Sequence, residues 1–122
     1  MANYPALIPF SGSVQGKPIK VVATSSAGTT IHTTGTSATV IDRVFLFAYN
    51  SDTVDRALTI EFGGVTAPDQ NIVVTIPFKI GLVLVIDGLP LLSNGSVGLT
   101  IGAFAAATNV VTVSGYILRI TP

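Results

Sequence analysis

Side chains that branch at Cβ constrain this chain more than any other feature of its sequence. Val, Ile and Thr account for 42 of its 122 residues. Such side chains lose χ1 freedom in helices and pack well on pleated sheets. Their abundance therefore predicts an all-β protein. The length corresponds to one domain, because domains commonly contain about 100–200 residues.

Charged residues make up only 10% of the chain, and six basic side chains balance six acidic ones. A neutral chain has no field that attracts nucleic acid or an anionic membrane, so we expect neither as a partner. Cys is absent and there is a single His, which leaves no disulfide, no thiolate nucleophile and no multi-imidazole metal centre. We therefore expect no cofactor, no metal ligand and no catalytic residue.

Turn signals recur at intervals of about 8–12 residues after Ile19, a spacing typical of a β-sandwich or barrel. The runs between these signals predict eight strands: Ile19–Thr24, Thr29–Thr34, Thr39–Asn50, Arg56–Phe62, Asn71–Phe78, Leu82–Ile86, Ser96–Ala105 and Val110–Ile120. No amphipathic helix competes with them. We predict an eight-stranded antiparallel β-sandwich, and we prefer a jelly roll over an immunoglobulin-like strand order.

Residues 1–18 are interrupted by three prolines, and we predict that they form an extended arm without regular structure, preceding a sandwich domain at 19–122. Large apolar side chains in a free arm would lie in water, whereas free arms are usually polar. Two placements stay open, because the arm either packs along its own domain or docks on a neighbouring chain. Our hypothesis is docking, through Tyr4, Leu7, Ile8 and Phe10.

Two of the predicted strands are apolar on both faces. In Thr39–Asn50, Val44 and Leu46 alternate with large aromatic side chains, and in Leu82–Ile86 the odd positions are valines. A strand of a two-layer sandwich has one face in water, so a second apolar face predicts a cover from the arm, a loop or another subunit. We therefore predict a homo-oligomer, either a dimer or a trimer. Its expected partner-binding residues in these strands are Phe45, Phe47, Tyr49, Val83 and Val85.

The polar residues offer few candidates for chemistry. His32 alternates with Ile31, so we expect it to face away from the core as a surface or structural histidine. Asp52 and Asp55 are explained by a hairpin loop, with a weak cation site as the alternative. A sugar-binding platform would need two of the three tyrosines to converge, because there is no Trp.

Four stretches of the sequence resemble a known class of protein. They are Ala23–Thr33, Val44–Asn50, Leu58–Gly64 and Ala103–Tyr116. In order and content they are similar to the decoration, or cement, proteins on the outside of tailed-bacteriophage capsids. The resemblance implies a jelly-roll sandwich, homo-oligomers at symmetry points of the shell, and a terminal arm that reaches the major capsid protein. It also implies a location on the outer capsid surface of the virion, after synthesis in the host cytoplasm.

We therefore expect a non-enzymatic virion structural protein that cements a capsid by bridging shell subunits. The alternative is a receptor- or glycan-binding domain of a phage tail fibre or spike. A cupin-like enzyme ranks third, because such sites cluster several His and Glu residues and this chain has only His32. The sequence leaves open which capsid is bound, which surface docks, whether the oligomer is a dimer or a trimer, and what His32 does.

Overall fold

The computed structural model describes residues 4–122, and within that range every regular element is a β-strand. In chain order the strands are β1 Tyr4–Pro9, β2 Ile19–Lys20, β3 Thr29–Thr33, β4 Ile41–Asn50, β5 Arg56–Phe62, β6 Asn71–Ile76, β7 Val83–Leu91, β8 Thr100–Ala105 and β9 Val111–Thr121. They form two antiparallel sheets around a common core. The all-β sandwich is confirmed, and each of the eight predicted strands overlaps an observed one.

The five-stranded sheet has the order β1-β9-β4-β7, and β2 also pairs with β9. The four-stranded sheet has the order β3-β8-β5-β6. The pairing is nested around the β5–β6 connection: β5 pairs with β6, β4 with β7, β3 with β8 and β1 with β9. The first and last strands of the described chain therefore lie side by side.

The core lies between the two sheets and consists of the inward-facing rows of both. In β4, burial alternates along the whole strand, and Val44, Leu46 and Ala48 are completely buried. In β5, Leu58 and Ile60 are buried as well. Burying one side chain of this size contributes about 1.5–3 kcal/mol. The inward rows of β4 and β5 agree with the alternation predicted from the sequence.

The structure differs from the expected irregular arm, because residues 4–9 form β1 and pair with β9. Proline is tolerated there since an edge strand leaves one row of N–H groups without a partner in the sheet. Phe10 follows and is 2% exposed, inside the core of its own chain. The Ser11 hydroxyl then accepts a hydrogen bond from the Thr33 amide, and the Gly12 amide donates to the Ile31 carbonyl. Residues 4–12 are thus built into the fold of their own chain.

Strand β7 also differs from its prediction, since it continues through Asp87–Gly88, which the sequence suggested as a turn. Its register against β4 shifts twice, and Gly88 has a φ of +85°, in the left-handed region that favours glycine. These irregularities change which side chains face inward. Val83 and Val85 are partly buried against the core, whereas Leu84 is 47% exposed.

Candidate functional site: an apolar outer sheet face

The outward surface of the five-stranded sheet is apolar. Residues that lie directly opposite on antiparallel neighbours share one side of the sheet. The register places Tyr116 opposite Phe45, and Leu118 opposite Leu7. We name this surface the outer apolar face; its members are Leu7, Ile41, Phe45, Phe47, Tyr49, Leu84, Tyr116, Leu118 and Ile120. Four strands contribute to it.

An aromatic stack occupies the centre of this face. The rings of Phe45 and Tyr116 lie 4.8 Å apart with an interplanar angle of 16°. The guanidinium carbon of Arg43 lies over the Phe45 ring, 5.4 Å from its centroid, and the Arg43 Nε donates to the Gly88 carbonyl at 3.1 Å. The Phe45 ring therefore contacts both a cation and a second ring of its own chain.

Glycine allows the strands to meet beside this stack. Gly115 has a φ of +145°, and a Cβ atom at this position would collide with the carbonyl oxygen of Phe45. A larger residue would therefore push β9 away from β4 next to Tyr116.

The outer apolar face carries little charge. Its charged side chains within residues 4–122 are Arg43, which is bonded to β7, the exposed Asp87, and Lys20 of β2, which lies opposite Thr112 at the edge of the face. Aromatic residues, leucine and an occasional Arg, with few acidic groups and lysines, are typical of the buried centres of protein interfaces. Such a surface loses little solvation energy when an apolar partner covers it. The geometry therefore suits protein binding.

The structure brings some of the predicted partner-binding residues together on this face and places others elsewhere. Phe45, Phe47 and Tyr49 face outward and are partly exposed, and Leu7 of β1 is 69% exposed beside them. Inward positions are occupied by Ile8, Phe10, Val83 and Val85. Phe10 in particular is covered by its own core, so its side chain has no surface left for a neighbour. The side chain of Tyr4 lies outside the described part of the structure.

Sequence reasoning missed the contribution of β9 to this face. Tyr116, Leu118 and Ile120 alternate with inward-facing residues such as Ile117. The alternation was present in the sequence, but only the register of β9 against β4 shows that this row continues the aromatic row of β4. The missing information was the pairing of strands far apart in the chain.

His32 is buried, with 1% exposure, which corrects the expectation that it faces away from the core. A register shift between Thr30 and His32 interrupts the alternation of β3, so Ile31 and His32 are both inside. Its Nδ1 accepts a hydrogen bond from the Ser11 amide at 3.1 Å. The proton of this imidazole is therefore on Nε2, which donates to Asp42 Oδ2 at 2.8 Å.

Asp42 joins this histidine to Arg119 of β9. The guanidinium donates from Nε to Oδ1 at 2.7 Å and from Nη2 to Oδ2 at 2.9 Å. Burial raises the pKa of Asp42, but the hydrogen bonds from Arg119 and His32 outweigh burial, and the net effect is a lowered pKa. The same carboxylate raises the pKa of Arg119. With both nitrogens of His32 engaged, this cluster links β3, β4 and β9 across the two sheets.

The outward surface of the four-stranded sheet is different, because a loop of the same chain covers part of it. Glu61 of β5 is 2% exposed and accepts hydrogen bonds from the Ser26 hydroxyl at 2.5 Å and from the Gly28 amide at 2.7 Å. Beside this loop is a shallow depression of about 180 Å³, lined by Thr24, Ala57, Thr59, Phe104, Ala105 and Ala106. Its lining holds no titratable side chain.

The Asp52–Asp55 loop binds its own chain. Asp52 accepts a hydrogen bond from Arg56 at 2.6 Å, and Asp55 accepts one from the Phe78 amide at 3.1 Å. The hydrogen bond from the Thr53 amide and that from Arg56 lower the pKa of Asp52. Across residues 4–122 there is no group of three or more His, Cys, Asp or Glu side chains placed to hold a metal ion. The segment connects β4 of the five-stranded sheet to β5 of the four-stranded sheet, so the expected hairpin loop is wrong and the segment is a crossing between the sheets.

Comparisons with protein-family models, with curated proteins and with solved structures find no match to this chain. No helix in the described range 4–122 is long and apolar enough to cross a membrane. The functional conclusion therefore depends on the outer apolar face and on the resemblance of the sequence to decoration proteins.

Proposed function

We propose that this protein is a non-enzymatic structural component of a phage virion, which sits on the outer capsid surface and cements the shell by bridging its subunits. The outer apolar face carries this proposal, and its occupant is the major capsid protein. Each of the three buried polar residues at the centre of these clusters is hydrogen-bonded to groups of its own chain; they are His32, Asp42 and Glu61. These bonds favour a structural role for the three residues over a catalytic one.

The size of the outer apolar face suits this role. A strand as long as β4 extends about 33 Å, and four strands about 4.8 Å apart give a plane of roughly 600 Å². Side chains that project from the plane add accessible area, and a stable interface buries about 800 Å² on each partner. A protein that binds across a joint between subunits, and binds the separate subunits less well, stabilises the assembled shell by mass action.

We further propose that the strand order is that of a jelly roll. The nested pairing of β1 with β9, β3 with β8, β4 with β7 and β5 with β6 supports it, because it describes one long hairpin rolled into two sheets. This architecture is the one that the resemblance to decoration proteins implies.

The proposal is tested with capsid shells of the phage prepared with and without the protein. Shells that carry it should survive heating and osmotic shock better than bare shells. Leu84→Lys and Tyr116→Lys, which place a charge in the outer apolar face, should each abolish attachment. The matched control is Ala57→Lys, on the exposed outward surface of the four-stranded sheet, which should attach normally. Equal survival of both kinds of shell would refute cementing.

A receptor- or glycan-binding domain of a tail fibre or spike is the second candidate, and the tyrosines on the outer apolar face are the observation that favours it. Tyr49 and Tyr116 share this face, but they lie opposite Thr112 and Phe45 respectively. Tyr116 stacks on the Phe45 ring and the Arg43 guanidinium lies over the same ring, so the stack offers a sugar little free ring surface. Glycan-array binding that disappears in both Tyr49→Ala and Tyr116→Ala would support this candidate over cementing.

A further inference from the structure

The two sheets expose strand edges, and three of the four edges are protected against pairing with another chain. Edge strands are commonly protected by proline, by irregular register or by a covering segment. In β1 the protection is Pro5 and Pro9, and in β7 it is Pro90 with two register shifts. The edge of β3 is covered by Ser11 and Gly12 through their hydrogen bonds to its backbone.

Among the residues that the structure describes, nothing gives the fourth edge, β6, any of these protections. Its sequence, Asn71–Ile76, contains no proline and no charged residue, and five of its six residues are β-branched. Within residues 4–122 its ladder partner is β5 alone, in a regular register. The side chains near this edge are apolar and open to solvent, with Val73 66% exposed and Phe78 51% exposed. The edge is therefore a regular template for an additional strand.

The hydrogen bond from the Phe62 amide to the Gln70 carbonyl shows which residues of β6 direct their backbone groups toward β5 and which direct them outward. Antiparallel hydrogen bonds recur at every second residue, so the even-numbered residues of β6 direct their backbone groups toward β5. Val73 and Thr75 therefore direct theirs outward. The next outward position is Pro77, which has no N–H, and the Asn71 amide is already bonded to the Pro68 carbonyl. The free donors of this edge are thus those of Val73 and Thr75.

We propose that β6 pairs antiparallel with β6 of a second copy of this chain, in a register centred on Val74. This register places Val73 of each copy opposite Thr75 of the other, and all the outward N–H and C=O groups of these two residues then find partners. It also places Ile72 opposite Ile76 on the inward side, so the apolar row of β6 continues from one molecule into the other.

A second copy fits this edge better than an unrelated strand does, because the edge is self-complementary. An isologous interface uses the same patch on both subunits, so each donor on one copy meets an acceptor on the other. The strand carries no charge, and two copies therefore approach without repulsion between like charges. The inference specifies the homo-oligomer of the proposed function as a two-fold dimer, formed by a surface other than the outer apolar face.

The experiment measures the mass of the isolated protein by light scattering and sedimentation, from about 1 to about 100 µM. The expected species is a dimer with twice the chain mass of 12.5 kDa. Thr75→Pro removes an outward donor and leaves the β5 ladder intact, and Val73→Lys places a charge beside the pairing strand. Each should weaken the dimer about tenfold or more, because the two-fold axis applies every substitution twice. Thermal unfolding checks that both variants remain folded.

The matched control is Val97→Lys, because Val97 is 64% exposed in a loop and Val73 is 66% exposed in β6. This variant should dimerise as the unmodified protein does. A second measurement tests the register. The chain has no Cys, so Val74→Cys introduces a single thiol, which should form a disulfide-linked dimer under mild oxidation, whereas Val97→Cys should remain monomeric on denaturing gels.

A monomer throughout the concentration series would overturn this inference, and so would a dimer whose affinity is unchanged in Val73→Lys and Thr75→Pro. A dimer that is lost in Tyr116→Lys and kept in Val73→Lys would assign self-association to the outer apolar face instead. These measurements contain no capsid, so they separate this inference from cementing. If Val73→Lys is monomeric and still stabilises shells, the dimer interface is supported and attachment depends on the outer face.

Discussion

The two outward surfaces of the sandwich differ, although both sheets contribute apolar inward rows to one core. The five-stranded sheet presents aromatic rings and leucines, with the Phe45–Tyr116 stack at its centre. The four-stranded sheet presents Thr75, Ala57 and the carboxylate of Glu61, which the loop around Ser26 covers. Val73, at the β6 edge of this second surface, is 66% exposed. The first has no cover from residues 4–122.

This contrast separates residues needed for folding from residues available for binding. The inward rows of both sheets already form the core, so the outward rings of Phe45, Phe47 and Tyr116 add little to the burial that holds the sheets together. Exposing these apolar rings to water is unfavourable, and this unfavourable contribution is removed only when a partner covers them. The comparison therefore predicts large stability effects for inward substitutions and large attachment effects for outward ones.

The largest stability effect is expected from the first strand and its flank, where inward and outward residues lie three positions apart. Phe10→Ala should lower the free energy of unfolding by about 3–5 kcal/mol, because it leaves a cavity in the core. Leu7→Ala, on the outer apolar face, should change it by less than about 0.5 kcal/mol. Urea unfolding followed by circular dichroism measures both. If the two substitutions cost the same, the division between inward and outward residues is incorrect.

The same comparison can be made with two aspartates of the five-stranded sheet. Asp42→Asn should cost about 1–3 kcal/mol, because it deprives Arg119 and His32 of a charged acceptor inside the molecule. Asp87→Asn, on the exposed side of β7, should have an effect below about 0.5 kcal/mol. Chemical denaturation at neutral pH is the measurement. An unaltered midpoint for Asp42→Asn would show that the cluster does not support the fold.

The contribution of the buried His32–Asp42–Arg119 cluster to stability should also depend on pH. Asp42 has a lowered pKa in the folded protein, so its contribution to stability is present above its ordinary value of 3.8 and is lost as the pH falls through the lower folded value. We expect the free energy of unfolding to decrease between about pH 5 and pH 2. The decrease should be shallower in Asp42→Asn than in the unmodified protein. Parallel pH profiles would contradict the assignment.

The smallest effect concerns the outer apolar face itself. A double-mutant cycle with Phe45→Ala and Tyr116→Ala should give a coupling of about 0.5–1.5 kcal/mol, the usual value for an aromatic pair. Substituting Tyr49, which lies opposite Thr112, should be additive with Tyr116→Ala. A coupling near zero would mean that the rings of Phe45 and Tyr116 are not held together in solution.

The alternation of apolar residues was enough to predict the fold class, the position of most strands and the outward rings of β4. The alternation gave wrong predictions at backbone irregularities, because one extra residue in a strand moves every later side chain to the opposite face of the sheet. The register shift near His32 turned that side chain inward, and the shifts in β7 did the same for Val83 and Val85. No local property of these residues indicates such a shift, because it depends on the partner strand.

The prediction that the arm lacks regular structure was wrong for a related reason. Pro5 and Pro9 suggested an irregular segment, yet proline is compatible with an edge strand, and the sequence alone does not show which strand lies at an edge. The sequence correctly indicated that the apolar side chain of Phe10 would be covered. The hypothesis that a neighbouring chain covers it was wrong, because Phe10 lies in the core of its own chain. Composition indicates that a side chain will be covered. Only the pairing of β1 with β9 shows that the cover of Phe10 is the core of its own chain.

The nested pairing of the strands also has a consequence for the order of events during synthesis. β9 is made last, and it lies between β1 and β4, with which it pairs over most of its length. Until residues 111–121 have left the ribosome, no strand joins β1 to β4, and the inward row of β9 is missing from the core. Non-local strand pairing is slow even in a complete chain. The sandwich should therefore form only after β9 has been made, and a nascent chain that lacks β9 is the form most exposed to aggregation.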